Sequence, residues 1–269
     1  MLVFPNIKIN LGLNVIAKRE DGYHALESVF YPVGWCDALE AVVSEKQEFK
    51  FSSSGIPVPG SESSNLIIKA FNLLKQDFNL PPLEIHLHKM IPMGAGLGGG
   101  SSDAAFMLKL INEICALKLT DPELERYAGQ LGSDCPFFIR NKPLFVSGRG
   151  EILEPFNIVL TGWHILLVMP EVHVGTAEAY SWIRPHTPSI SIKEILQSPV
   201  QEWKNRLRND FEHPVVTRYP VIGALRDRMY ETGATYAAMS GSGAAVFGLF
   251  QTAPDLTHFD GYTKFHTEL

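Results

Sequence analysis

Across residues 7–13 the apolar side chains Ile7, Ile9, Leu11 and Leu13 alternate with Lys8, Asn10 and Gly12. That period predicts a strand with one face toward a core and Lys8 and Asn10 on the other. Residues 40–51 predict further strand, 52–64 a Gly/Pro/Ser loop, and 65–78 a helix spaced on Leu66, Ala70, Leu73 and Leu74. Leu83, Ile85 and Leu87 alternate as another strand. Beyond a cluster of glycines, Ala104, Leu108, Ile111 and Cys115 mark one face of a helix, and residues 122–131 predict another. The apolar run 164–169 predicts a strand that opens a second domain, so the expected division is 1–155 and 156–269. Residues 185–199 are rich in Pro and Ser and predict a surface excursion. Helical stretches at 200–207 and 221–232 then precede a second glycine-rich turn, Ser240 to Gly243, and the apolar run 244–250. Strands mixed with helices make the fold class α+β, and no internal repeat is present.

The length, 269 residues, is one at which a single core tends to split in two. A net charge of −6 with 45% apolar residues excludes a disordered chain, and it excludes the electrostatic footprint of a general nucleic-acid binder. Any polyanion must therefore be met locally. Cys36, Cys115 and Cys135 contain no CxxC pair, which leaves neither a disulfide framework nor a four-thiolate zinc site and points to a reducing cytoplasm. The start lacks a basic segment followed by an apolar one, and no run reaches the roughly 20 apolar residues of a membrane span. The expectation is a cytoplasmic protein with no membrane partner. His86 and His88 share one face of a strand, but without a third ligand or an HExxH pattern the expected reading is a solvated sheet face.

The strongest chemical signal is Pro92-Met-Gly-Ala-Gly-Leu-Gly-Gly-Gly-Ser-Ser-Asp-Ala-Ala105, between a strand and a helix. Gly94, Ala95, Gly96, Gly98, Gly99 and Gly100 carry little or no side chain. Their N–H groups can crowd around an anion while the following helix adds the positive end of its dipole. Polyphosphate suits such a loop, the plain alternative being a flexible linker or tight turn. Gly94, Gly96 and Gly99 satisfy GxGxxG, yet the acidic strand end that a dinucleotide fold needs about 20 residues on is replaced by Leu119-Thr-Asp-Pro. A Walker A motif fails for want of Gly-Lys-Ser/Thr, and a protein kinase for want of His-Arg-Asp and Asp-Phe-Gly.

These residues resemble the small-molecule kinase superfamily named for galactokinase, homoserine kinase, mevalonate kinase and phosphomevalonate kinase. The stretch from Pro92 to Ser102 matches its central loop, and Met239-Ser-Gly-Ser-Gly-Ala-Ala-Val-Phe247 its late glycine motif. Lys8 and Asn10, Asp21-Gly-Tyr-His24, Gly132-Ser-Asp-Cys-Pro-Phe-Phe138, Ser147-Gly-Arg-Gly150, Thr176-Ala-Glu-Ala-Tyr180 and Asn209-Asp-Phe-Glu212 look like the branch acting on a cytidine diphosphate-linked methylerythritol. The resemblance implies an S5-like N-terminal domain, a ferredoxin-like C-terminal domain, and ATP-dependent phosphorylation of that substrate's 2-hydroxyl in non-mevalonate isoprenoid synthesis. Mg²⁺ would come with ATP, and no dedicated metal-binding residues are expected. The state would be a monomer or a homodimer.

The same resemblance implies roles residue by residue. Asp134 would be the catalytic base and Lys8 its electrostatic partner. Pro92, Met93, Gly94, Ala95, Gly96, Leu97, Gly98, Gly99, Gly100, Ser101 and Ser102 would bind ATP, with Asn65 and Lys89 at the adenine. Asn10, Tyr23, His24 and Tyr180 would bind the substrate, the aromatics stacking on cytosine and the histidine reading it. Each has a plainer alternative. Asp134 before Pro136 is good helix-start chemistry, Lys8 suits a solvated strand face, and Tyr23 suits packing over a turn. Ser240 to Gly243 suits either a hairpin turn or an approach to phosphate or substrate. Two other functions stand beside this one. A mevalonate, homoserine or sugar kinase would keep the loop but leave Tyr23-His24 without a purpose. A nucleotide-binding sensor would have no use for Lys8 and Asp134.

Overall fold

A computed structural model describes residues 1–269. In chain order the elements of the first half are β1 (Leu2–Val3), β2 (Asn6–Lys18), β3 (His24–Cys36), β4 (Ala38–Val43), β5 (Lys50–Gly55), α1 (Leu66–Asp77), β6 (Leu83–Lys89), α2 (Gly99–Ile114), α3 (Asp121–Leu131) and α4 (Cys135–Arg140). They continue with β7 (Leu144–Ser147), β8 (Ile152–Pro155), β9 (His164–Met169), α5 (Thr176–Ser181), α6 (Ile192–Leu196), α7 (Glu212–Arg218), α8 (Pro220–Glu231), β10 (Tyr236–Met239), β11 (Val246–Phe250) and β12 (Thr263–Glu268).

The chain packs as two units. The first comprises residues 1–7, 34–93 and 98–142. Its sheet, in the order β1-β4-β6-β5, pairs β5 with β6 in parallel and the rest antiparallel. Ile67, Ala70, Phe71 and Leu74 of α1 and Ala104, Met107, Leu108 and Ile111 of α2 are buried here at the three- and four-residue spacing of amphipathic helices.

The second unit comprises residues 8–33, 94–97 and 143–269. One sheet runs β2-β3-β7-β8 and the other β10-β11-β9-β12. Numbered along the chain, the strands of the latter stand 2-3-1-4, all antiparallel, the arrangement of a ferredoxin-like fold. Its core gathers Leu166, Val168 and Val246 from the sheet, Val215, Ile222, Leu225 and Met229 from α7 and α8, and also Leu13 and Val15 of β2. The expected boundary at 155/156 therefore falls inside this unit, because β2, β3, β7 and β8 pack with the residues that follow.

Several local expectations change. Residues 40–51 are not one strand: the polar run Ser44 to Glu48 turns between β4 and β5, with Gln47 at φ +58°. β5 in turn extends to Gly55, into the expected loop. The Pro/Ser-rich stretch 185–199 contains α6, which buries Ile192, Ile195 and Leu196. Residues 200–207 form only a short 3₁₀ turn, Val200–Glu202. The buried Trp203 and Leu207 supplied a helical spacing that Asn205, at φ +71°, interrupts. Finally, β2 is buried on both faces, since Lys8 is 3% and Asn10 1% exposed. The solvated strand face does not exist.

Candidate active site

The first half of the glycine loop belongs to the second unit, where three elements hold it. The Lys8 N–H donates to the Leu97 carbonyl (3.0 Å) and the Ala245 N–H to that of Ala95 (3.1 Å). The Ser240 hydroxyl donates to the Gly96 carbonyl (3.1 Å). Gly96 has φ +75°, and a Cβ there would overlap the Ser240 carbonyl oxygen. Glycine is thus required twice, for the left-handed backbone and for the close approach of two chains. Ser240 to Gly243 joins β10 to β11, as the turn reading expects, and abuts the glycine loop.

Behind this junction lies a buried polar chain. The Lys8 ammonium donates to Asn10 Oδ1 (2.6 Å) and sits 4.3 Å from the centre of the Phe30 ring. Asn10 Nδ2 donates to Ser28 Oγ (2.9 Å), whose hydroxyl in turn donates to the Gly12 carbonyl (2.6 Å), while the Asn10 N–H donates to Ser240 Oγ (3.3 Å). A buried lysine and asparagine in such a network have fixed positions, which a solvated pair would lack.

Asn209 to Glu212 explains why this part stays put. Asn209 Nδ2 donates to the carbonyls of Met239 and Gly241, each at 2.8 Å, on either side of Ser240. The carboxylate of Glu212 accepts from the Met239 N–H (2.8 Å). Asp210 accepts from the Val15 N–H (2.7 Å), and burial raises its pKa against that bond and the nearby His186. One short segment therefore clamps β2 and the late glycine turn together.

The aromatic residues form two groups in the same unit. His24 stacks on Tyr180, centroids 4.9 Å apart at 17°, and Tyr180 meets Phe211 edge-on at 4.8 Å. Burial, aided by the charge of Lys18, lowers the His24 pKa, so its ring is neutral at pH 7 and offers one donor and one acceptor. Tyr23 stands 57% exposed above the Asp21 turn, and the Arg149 guanidinium lies over its ring at 4.8 Å. Arg149 belongs to the Ser147 to Gly150 motif, within which the chain alone assigns it no role.

The second half of the loop belongs to the first unit. Gly98, at φ +72°, caps α2 without a side-chain bond, and the first turn of α2 holds no acidic residue. No acidic side chain of that turn competes for its leading N–H groups. Met93 and Leu66 approach Gly100, bringing the start of α1 beside the loop, and Asn65 caps α1 by accepting from the Ile67 N–H (2.8 Å). The buried hydroxyl of Ser102 has no hydrogen-bond partner. Asp134 is the N-cap residue of α4, the position its plainer reading expects, but its side chain makes no capping bond. Next to it, Ser101 hydrogen-bonds the sulfur of Cys135, whose burial pushes the thiol up to about 12.

Lys89 is a correction. Its ammonium is fully buried and bonded to Asp37 (2.5 Å) and Asp103 (2.7 Å), so it is committed to carboxylates beneath the loop rather than presented to an adenine. Neither aspartate was singled out in the sequence, although Asp103 directly follows the two serines.

Comparison with known proteins follows these features along the chain. Residues 65–142 match the family model described as GHMP kinases N terminal domain, and residues 191–257 match GHMP kinases C terminal. The chain is 54% identical over 265 residues to the 4-diphosphocytidyl-2-C-methyl-D-erythritol kinase of Parabacteroides distasonis, covering 98% of this chain and 96% of that one. It is 50% identical over 259 residues to the protein of the same name from Cytophaga hutchinsonii, covering 96% and 95%. A crystal structure of 4-(cytidine 5'-diphospho)-2C-methyl-D-erythritol kinase superposes with a TM-score of 0.80 at 31% identity, covering 96% of this chain and 92% of the other. Mevalonate kinase of Methanococcus jannaschii shares the fold, with a TM-score of 0.73 at 14% identity over 100% and 98% of the two chains.

Proposed function

The chain belongs to the GHMP kinases, and within them to the 4-diphosphocytidyl-2-C-methyl-D-erythritol kinases; from that premise we propose how its residues carry the reaction. It is an ATP-dependent kinase that phosphorylates the 2-hydroxyl of 4-diphosphocytidyl-2-C-methyl-D-erythritol, a step in non-mevalonate isoprenoid synthesis. The observation that carries the phosphate site is the start of α2: a left-handed glycine cap and a first turn without acidic residues. Backbone donors and the helix dipole there favour a polyanion. The buried Ser102 hydroxyl lacks a partner that a phosphate oxygen would supply. Mg²⁺ enters with ATP as part of the substrate.

In this reading Asp134 is the general base for the 2-hydroxyl, and Lys8 supplies fixed positive charge for the charge that develops during transfer. Asn10 orients Lys8 and offers its amide to the substrate. His24 reads the base edge with a neutral ring, held flat against Tyr180 so that its direction is set before substrate arrives. Tyr23 offers an open aromatic face for stacking. Asn65 shapes the adenine end by fixing the start of α1, and Lys89 acts from beneath the loop. The reaction belongs to the cytoplasm, which three cysteines without a disulfide support. No helix is long and apolar enough to cross a membrane.

The test is ADP release and product identification with purified protein and Mg·ATP. Phosphorylation of the cytidyl substrate, with none of mevalonate, homoserine or sugars, is expected. Turnover of one of those alcohols in its place would overturn the substrate assignment.

A further inference from the structure

The Asp37–Lys89–Asp103 cluster gathers three segments of the first unit at one ammonium. Lys89 ends β6, Asp37 lies between β3 and β4, and Asp103 is the fifth residue of α2. Asp37 also accepts from the Met90 and Ile91 N–H groups, at 2.5 and 2.8 Å, which fixes the entry to the glycine loop. Gly99, the first residue of α2, lies directly on the ammonium: a Cβ there would come 3.3 Å from Lys89 Nζ. The cluster therefore sits under the start of α2, the phosphate cradle of the proposed function, and the inference rests on that reading.

Its charge does not balance. Two carboxylates share one ammonium, and all three side chains are buried. Asp37 uses both oxygens, one accepting from Lys89 and the other from the Met90 and Ile91 N–H groups. Asp103 gives one oxygen to Lys89, while its Oδ1 is buried with no partner. A buried, unsolvated carboxylate oxygen is the natural seat of a proton. Burial pushes the Asp103 carboxyl up to about 7, with Lys89 opposing the rise and Asp37 adding to it. Those are the charges that act on it. Of the elements packed around α2, α1 directs Asp77 to Tyr127, α3 and α4 pair Glu125 with Arg140, and Glu40 of β4 faces solvent. The Cys135 thiol at the head of α4 lies against Ser101.

We propose that Asp103 is a positioning residue of the phosphate cradle and takes up a proton when nucleotide phosphates settle at the start of α2. The excess negative charge beneath the cradle opposes a polyanion above it, and protonating Asp103 removes that charge without breaking its bond to Lys89. By linkage, phosphates then raise the affinity of Asp103 for a proton, and ADP or ATP binds less tightly as pH rises through neutrality. If bound phosphates tighten proton binding tenfold, uptake near pH 8 is about 0.4 proton per nucleotide.

Isothermal titration calorimetry of ADP with Mg²⁺, near pH 8 where the nucleotide's own phosphates are ionised, reads this uptake from two buffers of different ionisation enthalpy. The wild-type protein is expected to take up a proton fraction, and Asp103→Asn, which keeps an oxygen for Lys89, is expected to bind ADP without it. A purely structural role would leave the uptake unchanged in a folded Asp103→Asn. Equal uptake by both proteins, or none by the wild type alone, overturns the proposal while ADP binding leaves the phosphate site standing. Failure of the wild type to bind ADP overturns both.

Discussion

Replacing Gly96 by alanine isolates the junction between the two glycine-rich turns. At φ +75° the left-handed backbone costs an alanine about 1 kcal/mol. Its Cβ would also overlap the Ser240 carbonyl oxygen, with the carbonyl carbon at 3.0 Å and the Gly243 oxygen at 3.2 Å, all backbone atoms that cannot rotate away. The chain can keep the overlap, at about 1–3 kcal/mol. Alternatively it can withdraw and lose the Ser240–Gly96 and Ala245–Ala95 hydrogen bonds, about 1 kcal/mol each. Either way the expected loss is roughly 2–4 kcal/mol. Gly261 provides the comparison, for it has φ +85° and a Cβ added there would meet no atom within 4 Å, so Gly261→Ala should cost only the backbone portion. Urea unfolding of both variants measures the difference. Turnover should fall in Gly96→Ala as well, since Ser240 also bonds the Asn10 that orients Lys8. Equal stability losses in the two variants would refute the close-approach argument.

Asp134→Asn should retain ADP binding and lower kcat by on the order of 10²–10⁴-fold, the range for loss of a general base, and near wild-type turnover would remove Asp134 from the mechanism. Tyr23→Ala should weaken CDP binding by roughly 1–3 kcal/mol and leave the KM for ATP unchanged; a thermal-shift titration in which CDP protects both proteins equally would exclude stacking on Tyr23. Cys135, buried and with its thiol pushed up to about 12, should be alkylated by iodoacetamide more slowly than the half-buried Cys36 and Cys115, whose thiols burial also raises, as peptide mapping of the folded protein would show; equal labelling would refute this.

Much of this arrangement was legible in the chain. The strand at residues 7–13, the α1 helix and the glycine loop leading into α2 all carry local signals, because period and glycine content report on a segment's own conformation. The short helices α4, α5, α6 and α7 span five to seven residues, too few turns to display a period. Lys89 looked like a ligand-facing lysine because its two acids come from 52 residues before it and 14 after it, a juxtaposition only the folded sheet and helix create. Asn209 and Ser240 were visible as motif residues. What they do depends on carbonyls and N–H groups of distant strands, and no side-chain pattern encodes those.

The clamp between β2 and Asn209 to Glu212 also sets a schedule for the newborn chain. The Val15 N–H finds Asp210 only across 195 residues of sequence. At a synthesis rate of about 5–20 residues per second, that partner emerges roughly 10–40 s after β2 does. Leu13 and Val15 belong to a core built with Leu166, Val215 and Ile222, so their neighbours from the later chain arrive piecemeal, Leu166 before Asp210 and Val215 and Ile222 after it. One of the first strands made is thus among the last to be fully enclosed, and on the ribosome its apolar residues stay open to a chaperone until then.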